Sequence, residues 1–356
     1  MNVLGIETSC DETSAAVVTD GRTVQSCIIA SSRSAFALSG GVIPEHAARE
    51  QLQSIHPVID QALTQANMTA KDIDLIAVTR GPGLLGSLLV GTVTARTLAA
   101  LWHTPLAGVH HTIGHLSSIW LDAQQFPQFP LLTLSASGGH TELWLRTSHA
   151  AGELLGQTRD DAAGEAFDKG ASMLSLPYPG GPSVSQAGEH GNPRAFPFPH
   201  PLSDEDTLDF SYSGLKTALK YTLRDLTTAQ RSALSATGSP LAADLAASYE
   251  YAICTHLCDR VERALRRHEN AQEVHVAGGV SANRRLRSML GAVCGGRPVR
   301  FPAKLLYCTD NAAMIAAAAT FLQQENNNKH NGHFETAASL PSTEVFVLSQ
   351  TPERSP

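Results

Sequence analysis

Two histidines four residues apart, in His111-Thr112-Ile113-Gly114-His115, carry the sharpest chemical signal in the chain. On a helix that spacing is one turn, so both rings leave one face and can reach one ion. A zinc protease with this spacing needs Glu directly after the first His as general base. Thr112 stands there, which disfavours water-activating proteolysis. Two His and a carboxylate also match the iron-oxygenase triad, but that triad usually belongs to a β-barrel. Asp310, in Cys308-Thr309-Asp310-Asn311-Ala312, is the best third ligand. It also opens an Ala-rich helix, where Asp is a good N-cap, so ligand and cap both stay open.

Three glycine turns come next. Gly81-Pro82-Gly83-Leu84-Leu85-Gly86 fits GxGxxG between a strand and a helix. A dinucleotide site wants an acidic residue about 20 positions on to bind ribose. No Asp or Glu occurs from Leu75 through Leu121, so the NAD reading is rejected. Ser137-Gly138-Gly139-His140-Thr141 reads as a tight turn whose backbone N–H groups can cradle a phosphate. Gly278-Gly279-Val280-Ser281-Ala282-Asn283 turns a strand into a helix start, which favours an anion. With the Asp11-Glu12 turn, the last two make three polar turns expected to converge on one cleft. Asp161, Glu165 and Asp168 fall at i, i+4 and i+7, spaced for one helical face lining that cleft. Lys216, near the start of a further helix, is placed to reach an anion.

The elements that position these residues alternate. Strands are expected at 3–8, 14–19, 23–30, 74–79 and 106–109, with helices at 44–66 and 84–101. A second cycle starts with a strand pair at 131–135 and 141–145. It continues through a long Pro- and Gly-rich loop at 176–210, a helix at 242–268, a strand at 273–277, and helices at 282–293 and 310–323. Alternation of this kind predicts sheets flanked by helices, and the two strand–turn–strand units suggest an architectural duplication. At 356 residues, the chain exceeds the roughly 250–300 at which one core stops growing. Two lobes are expected, 1–115 and 116–325, followed by a partly disordered tail at 326–356.

A net charge of −7 argues against a generic nucleic-acid binder. The stretch Arg260 to Lys304 nevertheless holds ten Lys and Arg against three Glu, either a solvated face or a local phosphate footprint. The six cysteines form no CxxC pair and read as buried small hydrophobes. With no signal-peptide pattern at the start and no run of 18 apolar residues, a reducing cytoplasm is the expected setting.

Seven ordered motifs, from Gly5-Ile6-Glu7-Thr8-Ser9-Cys10-Asp11-Glu12-Thr13 through the turns above to Thr309–Met314, make residues 2–322 resemble the TsaD family. These are the tRNA N6-adenosine threonylcarbamoyltransferases. The resemblance implies an α/β, two-lobed actin/Hsp70/sugar-kinase-like fold with mixed sheets. It implies transfer of threonylcarbamoyl from threonylcarbamoyl-AMP to N6 of adenosine 37 in tRNAs that read ANN codons, releasing AMP. His111, His115 and Asp310 would hold one divalent metal, iron foremost, with magnesium or zinc as alternatives. Ser135, Ala136, Ser137, Gly138, Gly139, Asp168, Gly181 and Asn283 would contact the adenylate. Asp11 or Glu12 would serve as base. Implied partners are tRNA, an inactive paralogue and a small P-loop ATPase, with no membrane. The apolar helix 84–101 is the expected paralogue surface, so a bulky charge at Gly91 should break that complex without unfolding the chain. A small-molecule or sugar kinase of the same fold is the competing reading.

Overall fold

The computed structural model describes residues 1–31, 43–234 and 239–329. Apolar runs at the start of the chain become β1 (Asn2–Glu7), β2 (Glu12–Thr19) and β3 (Thr23–Ser31), an antiparallel meander. After α1 (Pro44–Gln65), β4 (Leu75–Gly81) pairs parallel with β1. After α2 (Leu85–Trp102), β5 (Leu106–His110) pairs parallel with β4. The resulting order is β3-β2-β1-β4-β5.

The second sheet repeats this plan. β6 (Leu131–Ala136) and β7 (Thr141–Arg146) pair antiparallel, β8 (Gly152–Gln157) follows, and β9 (Glu273–Ala277) runs parallel to β6 with β10 (Val299–Arg300) beside it. Its order, β10-β9-β6-β7-β8, is the first sheet's order with each strand replaced by its counterpart. The duplication expected from the two strand–turn–strand units is therefore present in the topology.

Contacts divide the chain into two units. The first holds Met1–Pro127, Thr147–Gly152 and the segment from Pro302 onward; the second holds Gln128–Arg146 and Glu153–Phe301. In the first, Leu4, Ile6, Ala15 and Val17 pack with Ile55, Val58 and Ile59 of α1 and Val90, Ala95 and Ala99 of α2. The opposite face of β1 receives α10 (Ala312–Lys329). The sequence reading grouped this last helix with the second lobe and ended it near residue 323. The structure packs it on the first sheet and carries it to Lys329, so the first four residues of the tail expected at 326–356 are helical and the rest lie outside the described residues.

In the second unit Leu132, Leu134 and Leu143 pack with α4 (Ala163–Met173), α5 (Gly180–Ala187), α6 (Ser213–Arg224), α8 (Pro240–Arg267) and α9 (Arg284–Val293). A short α7 (Thr228–Leu234) precedes α8. Ser239 caps α8 by accepting from Ala242 N. The expected loop at 176–210 contains α5, and β8 was missed, because neither segment has a clean apolar period.

By length and composition α2 is apolar enough to cross a membrane. It is amphipathic in its packing instead. Ser87, Val90, Gly91, Ala95 and Ala99 face inward, while Leu85, Leu89, Val93 and Leu101 are exposed. This corrects the expectation for Gly91. A Cβ there would stand 2.3 Å from Thr8 Oγ1, so a charge at 91 attacks the core and not an outer surface.

Candidate metal centre and polar turns

β5 ends at His110 and α3 (His111–Ser117) starts at once, with every residue of the helix buried. One turn of that helix brings His111 Nε2 within 3.1 Å of His115 Nε2. Asp310 Oδ1 lies 3.0 Å from His115 Nε2 and 3.5 Å from His111 Nε2. Ligands about 2.0–2.1 Å from one ion stand about 3.0 Å apart at right angles and about 3.4 Å apart in a tetrahedron. The three atoms therefore already have the spacing of a coordination sphere. The Asp310 side chain keeps 25% exposure against 8% and 3% for the two histidines, so the site opens on the aspartate side.

Two glycines allow the approach. A Cβ at Gly5 would stand 2.1 Å from the carbonyl oxygen of Ala312, and one at Gly114 would stand 2.7 Å from Ile315 Cδ1. Without side chains, β1 and α3 both close on the start of α10, two residues past Asp310. The cap of α10 is taken by the neighbouring residue. Asn311 Oδ1 accepts from Met314 N at 3.0 Å and so caps α10, which leaves Asp310 to face the imidazoles.

Charge follows from this crowding. Burial alone would lower the pKa of His111, but the Glu7 and Asp310 carboxylates outweigh it and hold the imidazole well above its usual range. Burial would raise Glu7, yet His111 pulls it below the usual carboxylate value. For half-buried Asp310 desolvation would likewise raise the value, yet its contacts with His111 and His115 hold it well below. Two imidazole nitrogens and a carboxylate oxygen at these distances form a donor set that could hold a cation. The donor set of two nitrogens and one oxygen suits iron or zinc better than magnesium, which prefers oxygen.

Sequence reasoning quoted Glu7 within a motif but gave it no role. A signal was available: alternation along β1 puts Val3, Gly5 and Glu7 on one face, and Gly5 meets α10. Asp11 is half-buried on the β1–β2 turn, and Glu12 begins β2, with Oε1 accepting from Ser31 Oγ at 3.2 Å.

The remaining predicted residues sit in the second unit. Ser135 and Ala136 end β6 as buried residues. Ser137 shapes the turn, its Oγ accepting from Gly139 N and His140 N at 3.3 and 3.1 Å. Gly138, Gly139 and Gly181 face open space. Asp168 on α4 accepts from Gly180 N at 2.7 Å and so orients the start of α5. Asn283 Oδ1 caps α9 through Leu286 N, and its Nδ2 donates to Ser185 Oγ of α5 and to Glu250 Oε1 of α8. These contacts tie the turn after β9 to α5 and α8, and α4 to the start of α5.

Two expectations are corrected. Asp161 lies before α4, not on it, so the three acids share no helical face; it pairs with Lys169 and Lys216 at 2.7 and 2.9 Å. Lys216 is thereby held by a carboxylate instead of standing ready for an anion. In the basic stretch Arg266, Arg267, Arg284 and Lys304 are exposed, and most of the others are half-buried and paired. Arg260 is buried and donates to the carbonyls of Thr207, Pro201 and Leu202. Arg285, Arg300 and Lys304 pair with Glu250, Glu273 and Asp122, and Arg297 donates to the carbonyls of Ala271 and Glu269.

Residues 23–317 match the family model described as TsaD, tRNA N6-adenosine threonylcarbamoyltransferase. A protein of that name from Thermomicrobium roseum is 49% identical, over 91% of this chain and 92% of its own. One from Anaeromyxobacter dehalogenans is 47% identical, over 89% of this chain and 93% of its own. Among solved structures, component A of (R)-2-hydroxyglutaryl-CoA dehydratase from Acidaminococcus fermentans covers 91% of this chain and 99% of its own. Its TM-score is 0.52 at 13% identity, a likeness of fold alone.

Proposed function

The chain belongs to the TsaD family of tRNA N6-adenosine threonylcarbamoyltransferases and is a transferase that forms threonylcarbamoyladenosine in tRNA, and we propose that its donor is threonylcarbamoyl-AMP and its acceptor N6 of adenosine 37 in tRNAs reading ANN codons. The match across residues 23–317 carries the reaction class. The convergence of two Nε2 atoms and one carboxylate oxygen supports the metal role. His111, His115 and Asp310 would hold one divalent ion, iron foremost, which acts when bound as a Lewis acid for phosphate and carbamoyl oxygens.

In the transfer, N6 attacks the carbamoyl carbon, the bond from that carbon to the phosphate oxygen breaks, and AMP leaves. The acyl group is already activated, so no protein nucleophile is needed. Positioning supplies much of the rate for so poor a nucleophile. The exposed Gly138–Gly139 turn, with open space where side chains would stand, gives the departing AMP room to approach the backbone, with Ser135, Ala136, Ser137, Asp168, Gly181 and Asn283 shaping that pocket. The committed hydrogen bonds of Asn283 favour a supporting part there. Asp11 is the better acceptor for the N6 proton, since Glu12 is buried against Ser31.

An inactive paralogue and a small P-loop ATPase complete the proposed assembly, in the cytoplasm and away from membranes. The exposed face of α2, Leu85, Leu89 and Val93, supports a place for the paralogue. The test supplies threonylcarbamoyl-AMP and unmodified tRNA with the two partners, and measures the modified nucleoside by mass spectrometry and bound metal by elemental analysis. His111→Ala and Asp310→Ala should lose both metal and product while staying folded. Full activity in both would remove the metal from the reaction. Phosphate transfer from ATP to a sugar without tRNA modification would favour the kinase instead.

A further inference from the structure

Glu7 is buried at the end of β1 with no solvent to neutralise it. Three donors converge on its carboxylate. Ser9 N donates to Oε1 at 2.6 Å, Thr79 Oγ1 on β4 donates to Oε2, and His111 Nδ1 lies 3.2 Å from the same Oε2. Ser9 Oγ sits 3.2 Å from that ring nitrogen as well. A carboxylate only accepts, so the hydrogen of His111 must lie on Nδ1. In the neutral ring the Nε2 lone pair is then left pointing at His115 and Asp310. His115 has no such support: its Nδ1 is buried without a hydrogen-bond partner among the described residues.

We infer that Glu7 is a positioning residue for the metal centre, fixing the tautomer and ring angle of His111 so that one ligand is set before any ion arrives. The inference rests on the metal reading above. Such outer support is worth about 10–100-fold in metal affinity. Gln at position 7 would retain the shape but cannot satisfy all three donors, and its neutral amide would hold the His111 N–H less strongly than a carboxylate does.

The probe is Co2+, titrated into the full-length, chelator-stripped protein against a chromogenic competitor, with the visible d–d bands reporting ligand geometry. Glu7→Gln should bind Co2+ about 10–100-fold more weakly, with shifted bands, while its metal-free circular dichroism matches the parent. Equal affinity with unchanged bands overturns the inference. Should Glu7→Gln fail to fold, Thr79→Val frees the same Oε2 and is expected to weaken binding several-fold; no change there overturns it equally. His111→Ala separates the two levels. If it binds Co2+ as tightly as the parent, the metal reading fails and Glu7 with it. If it abolishes binding while Glu7→Gln does not weaken it, only the role of Glu7 fails.

Discussion

Replacing Gly5 by alanine adds one methyl group far from any expected chemistry, yet it should damage the metal centre. The new Cβ would lie 2.1 Å from the Ala312 carbonyl oxygen. Ordinary contact starts near 3.4 Å, so the start of α10 must retreat by about 1.3 Å. Asp310 is two residues away, and its Oδ1 stands 3.0 Å from His115 Nε2. Metal sites tolerate ligand displacements of about 0.2 Å, so a shift near 1 Å removes the third ligand. Metal affinity should fall by at least about tenfold, the lower end for disturbed support. Overpacking of this kind costs about 1–3 kcal/mol, and loss of the Ser14 Oγ bond to Ala312 N at 2.9 Å adds about 1 kcal/mol. Anaerobic titration with Fe2+ against a competing chelator and urea unfolding read the two effects separately. A Gly5→Ala protein with parental affinity and stability would refute the packing argument.

Three further outcomes follow from the same geometry. Asn311→Ala should destabilise the chain by about 1 kcal/mol through the lost cap of α10, measured by urea unfolding of the metal-free protein; no change would mean Asp310 caps after all. Gly91→Arg should unfold the first unit, whereas Leu89→Arg on the exposed side of α2 should leave circular dichroism unchanged and weaken paralogue binding in calorimetry. His256 is buried, and Arg260 and His200 add to the effect of burial, moving its pKa from 6.5 to about 3 although Asp160 opposes them. Its folded pKa lies below its unfolded one, so its contribution is full above pH 6.5 and is lost as pH falls toward 3. At pH 5 the loss is about 2 kcal/mol, and His256→Gln should flatten the stability profile between pH 6.5 and 5.

Local sequence determined much of this protein. The i, i+4 spacing of His111 and His115 needs only a helix, and the absence of Glu at 112 needs only reading. Alternating apolar runs placed most strands, because burial on one or both faces writes itself into the pattern. Seven ordered motifs were enough to identify the family. Other features depended on contacts distant in the chain. Asp310 is 195 residues beyond His115 by numbering, and only the packing of α10 on β1 and α3 decides that it faces the histidines while Asn311 takes the cap. The role of Glu7 required knowing that β5 delivers His111 beside the end of β1. Lys216 and the Arg260–Lys304 stretch look free in sequence, because composition counts charges without showing which carbonyls and carboxylates hold them. Spacing along one element fixes which side chains share a face; only tertiary structure fixes what that face meets.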